Sequence, residues 1–177
     1  MARLVAQRIE VTDDLEAVQR LFLERGWSDG LPIVPPTPER VEAMLAATTL
    51  DPQHVVAEVP PAWGAATVER VAINAVMAGC LPQHLPVLLA AVEALGDPAF
   101  NLYAVQATTH PCAPLLIVNG PVRRALGFNA SSGAYGPGWR ANATVGRAVR
   151  LLLLNVGGGR PGVGDMSTQG SPAKYAY

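Results

Sequence analysis

From Pro98 to Gly164 the chain contains no aspartate, glutamate or lysine, yet it carries six arginines: Arg123, Arg124, Arg140, Arg147, Arg150 and Arg160. A guanidinium stays charged at any physiological pH and must find an anion or a set of carbonyl oxygens. This stretch supplies no anion of its own. Its arginines need the N-terminal half folded back on them, a second chain, or a bound anion. The acids lie in the other half. Residues 1–97 hold thirteen of the fourteen acidic residues and six of the thirteen basic ones, a balance of −7 that the net charge of −1 conceals.

Only 15% of the residues are charged and half are apolar, against about 25% charged in an ordinary soluble domain. A chain of 177 residues with this balance reads as a single domain over residues 1–177 that hides surface against other chains, one subunit of a larger assembly. The start, "MARLVAQRIEVTDD", lacks the apolar core of a signal peptide. No run approaches the about 18 apolar residues of a membrane span. Two cysteines without an export signal point to reduced thiols in a cytoplasmic protein.

The pattern of elements predicts an α/β or α+β fold: a helical N-terminal half, a small central sheet, and a glycine-rich loop leading into a long helix. Thr12 caps a first helix that Gly26 ends, and Thr37-Pro38-Glu39 starts a short second one. "HVVAEVPP" from His54 reads as a strand. Thr67 caps a helix ending near Gly79, and another runs from about Gln83 to Leu95. "NLYAVQATT" and "PLLIVNG" read as strands, and "VRRALGF" as a helical turn or two. "NATVGRAVRLLLLNV" reads as a strong helix with Asn142 as N-cap and Gly157 as stop. Residues 157–177 have no periodicity and read as an extended C-terminal arm, on a neighbour or partly disordered.

Two constellations could carry chemistry. In "ATTHPCAPLLIVNG", His110 and Cys112 at i and i+2 of a strand would share a face. Stiffened by Pro111 and Pro114, they could serve as a nucleophile and its base. Cys112 is equally well explained as a small buried hydrophobe, so His110 carries more of the functional reading. In "NASSGAYGPGWRANATVGR", Gly133, Gly136 and Gly138 precede a helix start whose free N–H groups suit a phosphate or carboxylate. Arg140, Thr144 and Arg147 then follow one helical face as an anion clamp. Neither a nucleotide P-loop nor a dinucleotide fingerprint is present.

The arm "GWSDGLPIVPPT" adds Trp27 as a surface to pack on a ligand. Its Asp29 is a general base, a partner for one of the arginines, or the residue of an Asx-turn. Asn119, Asn129 and Asn142 are amide donors toward a carbonyl or carboxylate, and Asn129 and Asn142 also suit turn and cap roles. No cofactor is named by any motif. A transition metal is a candidate, with Cys80 and His84 of "CLPQH" joining His110 and Cys112 in a Cys2His2 set, or with His54, His84, His110 and a carboxylate. Packing explains Cys80 as well. Nucleic-acid binding is disfavoured, since the basic half has no lysine and no array of stacking aromatics.

"GWSDGLPIVPPTPERVEAML", "TTHPCAPLLIVNGPVRRALGFN" and "GPGWRANATVGRAVRLLLLNVGG" together resemble a poorly characterised bacterial family associated with the UGSC-motif (seleno)proteins. The resemblance spans about Val11 to Tyr175. It implies an enzyme component working with a sulfur- or selenium-containing partner. The U-G-S-C motif itself is absent, so no redox residue carries over. Similar proteins continue past the equivalent of "PAKYAY" with an acidic, aromatic segment, which implies a separate acidic subunit here and an active site shared between chains.

Two expectations follow. In the first, the chain is an enzyme subunit that binds a small anionic or carbonyl-bearing molecule at the glycine-rich loop with Arg140 and Arg147. His110 and Cys112 sit beside it, in lyase, hydrolase or thiol-linked reductive chemistry. In the second, the chain is a non-catalytic assembly subunit whose arginine-rich half docks an acidic catalytic partner.

Overall fold

The computed structural model describes residues 4–176; Tyr177, the end of the expected arm, lies outside the described residues. Seven α-helices and one two-stranded antiparallel sheet make a mixed α/β fold among them. In order these are α1 (Leu15–Glu24), α2 (Pro38–Leu45), β1 (Val55–Val59), β2 (Gly64–Thr67), α3 (Val68–Ala78), α4 (Leu85–Gly96), α5 (Leu102–Gln106), α6 (Pro121–Ala125) and α7 (Arg140–Asn155).

The core is built on α3 and α7. Apolar or small residues cover nearly every side of α3 (Val68, Val71, Ala72, Ala75, Val76, Met77 and Ala78 are buried), so it can only be a central helix. It starts where the Thr67 side chain accepts from Arg70 N and ends at Gly79, whose φ of 88° is the left-handed cap that glycine adopts without strain. Along α7, Val145, Ala148, Val149 and Leu151 to Leu154 are buried. α7 packs on α3, with α2 and α4 against α3 and β1 against α4. The hairpin meets the end of α7 at Gly64, where a methyl group would overlap the Val156 carbonyl oxygen; only glycine lets the two backbones come that close.

Several local readings are corrected. Asp14, not Thr12, caps α1, accepting from Ala17 N at 3.0 Å. α7 starts at Arg140, two residues ahead of Asn142, and its N-cap is Trp139. "NLYAVQATT" is not a strand: Leu102–Gln106 is helical, after a 3-10 turn at Pro98–Phe100. "PLLIVNG" forms no strand either. Among the described residues the backbone of residues 111–119 hydrogen-bonds to no other main-chain group, and Pro111 and Pro114 offer no N–H for such pairing. The sheet is therefore the β1–β2 hairpin, paired from Val55↔Thr67 to Val59↔Gly64 with an irregularity after Val55.

The C-terminal arm lies on its own chain. Met166 N and Thr168 N donate to the Thr108 and Thr109 carbonyls, at 3.0 and 3.3 Å. No single helix among the described residues is long and apolar enough to cross a membrane; Pro82–Gly96 and Pro98–Gln106 reach that length only together, across a 70° bend.

Candidate functional site

α7 organises the candidate residues into two groups on different faces. Toward its N-terminal half, Arg147 forms a two-pronged ion pair with Asp29: Nε to Oδ2 at 2.8 Å and Nη2 to Oδ1 at 2.9 Å. The same Nη2 donates to the Leu31 and Pro32 carbonyls. The side chain of Asp29 is 3% exposed and that of Arg147 14%. Of the three roles open to Asp29 it fills two, arginine partner and Asx-turn residue, since Oδ1 also accepts from Leu31 N.

The rest of the arm is equally held. Ser28 Oγ donates to Leu31 O, Gln19 exchanges two hydrogen bonds with the backbone of Ile33, and Asn155 Nδ2 donates to Trp27 O. The Trp27 ring packs edge-on to Phe22 and under Arg25. Two turns earlier on α7, Arg140 Nε donates to Gly79 O at 3.0 Å, and Thr144 Oγ1, one turn before Arg147, donates to Arg140 O. The expected clamp face thus grips the chain's own corner and arm.

Cys80 lies under this face, buried, with Sγ donating to Thr144 O at 3.2 Å. Burial pushes its thiol up to about 12, against smaller opposing effects of Thr144, Arg140 and Arg147, so it stays protonated and unreactive. His84 is 1% exposed; its Nδ1 accepts from Leu81 N at 3.2 Å and its ring lies 6.0 Å from Phe128. Burial, and the Arg140 charge behind it, hold His84 below its usual 6.5, against a hydrogen bond with Leu126.

That shift has a sign. The unfolded chain takes up a proton near 6.5 while the native chain resists it, so stability is full above that pH and falls as pH drops through it. Urea midpoints of the wild type should decline between pH of about 7 and about 5, at a slope contribution of up to about 1.4 kcal/mol per pH unit. His84→Gln should remove that part of the decline; an unchanged pH profile in the variant would contradict it.

On another face of α7, Gly146, Val149, Arg150 and Leu153 meet Ala113, Pro114, Ala173 and Lys174. Arg150 is 8% exposed and donates to Gly159 O at 2.8 Å, with Gln106 Oε1 at 3.5 Å. The loop carrying His110 is tied down here. Lys174 ion-pairs with Asp165 and donates to Ser167 Oγ at 2.6 Å, while Ser167 Oγ contacts Asp165 and lies 2.8 Å from His110 O. Desolvation would raise the Asp165 carboxyl, but hydrogen bonds from Lys174 and Ser167 outweigh it and hold it below its ordinary value.

The His110 and Cys112 side chains face solvent. His110 Nδ1 sits 3.5 Å from Thr108 Oγ1 and its N–H donates to that oxygen. The shared strand face expected for the two residues does not exist, because the segment is not a strand.

The Cys2His2 grouping is also not assembled in this chain: Cys80 and His84 are buried while His110 and Cys112 are at the surface. Among the described residues no three His, Cys, Asp or Glu side chains converge on one point. His54 and Asn119 are exposed as well.

The glycine-rich loop has its own anchor. Asn142 Oδ1 accepts from Asn129 N, and Asn142 Nδ2 donates to the Asn129 and Ala134 carbonyls. Gly136 and Gly138 stay exposed. α7 starts with no side-chain cap, and among the described residues no protein group accepts from the N–H groups of Arg140, Ala141 or Asn142.

Several polar residues escaped the sequence reading: buried Glu69, Gln106, and the Asp165–Ser167–Lys174 cluster. One signal was available for the last, since Asp165 is the first acid after the acid-free stretch. No protein-family model, no curated protein and no solved structure matches this chain.

Proposed function

We propose that this chain is a subunit of a hetero-oligomeric enzyme and that the segment around α6 docks an acidic partner subunit. The carrying observation is the fate of the six arginines. Arg147 has Asp29, Arg140 has Gly79 O, and Arg150 has Gly159 O with Gln106. Arg160, half-buried, lies against Gly26 without an acid or carbonyl partner, and Arg123 and Arg124 on α6 likewise have none among the described residues. Large apolar side chains are exposed in the same stretch: Leu115 at 47%, Ile117 at 80% and Trp139 at 48%. Cations beside uncovered apolar surface suit a partner with acids around an apolar patch. His110 and Cys112 lie just ahead of this segment, exposed, where they can complete a reaction centre whose other groups the partner brings.

One observation favours a small anionic or carbonyl-bearing substrate at the same subunit. The first turn of α7 presents three free N–H groups behind Gly136 and Gly138, with the helix dipole adding to their field.

Native purification at low and at high salt, followed by mass spectrometry and elemental analysis, tests the reading. The low-salt sample should contain a second, acidic chain that high salt removes, and any transition metal should appear with the complex. His110→Ala should keep the complex and lose turnover. A chain that purifies alone at low salt contradicts the docking reading; full turnover in His110→Ala contradicts the catalytic role.

A further inference from the structure

The N-terminal half holds a cleft of about 880 Å³, within the usual size range of small-molecule sites. Val18 and Phe22 of α1, Trp27, Ile73 and Met77 of α3, and Asn155 of α7 line it. Its outer wall is the segment before α1, which is tied to the body at one end. Val5 N and Ala6 N donate to the Glu69 carboxylate at 3.0–3.2 Å, and Gln53 Nε2 donates to the same group at 2.6 Å. From Gln7 to Val11 no hydrogen bond joins this strap to the rest of the described chain.

Asn155 is the unusual member. Its Nδ2 donates to Trp27 O at 3.0 Å and to Asn74 Oδ1 at 2.9 Å. Both partners are acceptors, so the amide cannot be turned over without losing both bonds. Its Oδ1 is closed to solvent and has no partner, the one such buried side-chain atom among the described residues. A buried acceptor left unsatisfied costs free energy and calls for an explanation. The aromatic rings and the Met77 thioether supply an apolar, polarizable lining beside it. The neighbouring buried carboxylate, Glu69, is already saturated by backbone and amide donors.

We infer that the cleft binds a small, flat, uncharged molecule whose ring body packs on Trp27 and Met77 and whose hydroxyl or N–H donates to Asn155 Oδ1. The strap of residues 7–11 lifts to admit it, and the same movement opens Oδ1, closed to solvent in this structure, to the bound donor. None of residues 111–139 lines this site, so its occupancy does not depend on a partner at the docking segment.

Calorimetric titration of the full chain with 2-naphthol and with its methyl ether tests the assignment, because the two differ only in the donor. One 2-naphthol should bind per chain, and the ether should bind about tenfold more weakly, the loss expected for one hydrogen bond. The side-chain amide resonances of Asn155 should shift on titration with 2-naphthol. Val18→Trp, which fills the cleft, should abolish binding. Should that variant fail to fold, the Asn155 shift in the wild type locates the site. Equal affinity for the two probes, no binding of either, or an Asn155 signal that does not move would overturn the proposal.

Discussion

Replacing Arg147 with alanine is expected to lower the unfolding free energy by about 3–5 kcal/mol, the cost of stranding one member of a buried ion pair. Asp29 would be left with a side chain only 3% exposed and no cation, and the Leu31 and Pro32 carbonyls would lose their donor. The arm from Trp27 to Val34, which closes one side of the core beside buried Ile33, would detach with it. Urea denaturation at neutral pH measures the loss. The double variant Arg147→Met/Asp29→Leu should recover most of it, since removing both charges removes the stranded one. A loss below about 1 kcal/mol would mean that the pair behaves as a screened surface contact, and that the arm is held by something else. The same reasoning makes Arg147→Glu a poor probe of partner binding, because it would disrupt the arm before it reached any interface.

Reversing both α6 charges, Arg123→Glu with Arg124→Glu, is expected to weaken the partner by about 100-fold or more, as like charges brought together across an interface cost several kcal/mol. Arg124 is exposed and Arg123 half-exposed, neither with a partner among the described residues. Folding stability should therefore move by no more than about 0.5 kcal/mol. In the wild type, rising salt should weaken the complex by screening the same charges, and the reversed variant should lose that salt dependence. Arg20→Glu, an exposed change on α1, serves as the control and should leave affinity where it was. Affinity unchanged in the α6 variant would remove α6 from the interface.

Much of the fold was readable where local signals agree. The α3 boundaries followed from Thr67 and Gly79, and the α7 body from its run of regularly spaced apolar residues. The failures have physical causes. "PLLIVNG" is apolar without periodicity, and such a run reads alike as a strand or as a loop whose residues alternate between core and solvent; here Leu116 packs on the core while Ile117 is 80% exposed.

Asn142 sits where a cap is expected and instead ties α7 to Asn129. The arginine excess was visible, but which anion answers Arg147 was not. Asp29 is 118 residues away in sequence, and no local pattern encodes a contact of that range. The orphaned Asn155 Oδ1 and the Glu69 anchor were invisible for the same reason: an asparagine late in a helix and a glutamate in a first turn look ordinary until the distant chain is laid against them.

The central claim is that the acid-free stretch is answered partly inside the chain and partly by a second protein. Hydrogen–deuterium exchange of the chain, free and in the complex purified at low salt, tests it most directly. The account predicts that complex formation slows exchange in peptides covering residues 111–139 and leaves the Asp29–Pro32 arm, already locked by Arg147, unchanged. Protection confined to residues 4–97, with the α6 peptides exchanging as in the free chain, would contradict it.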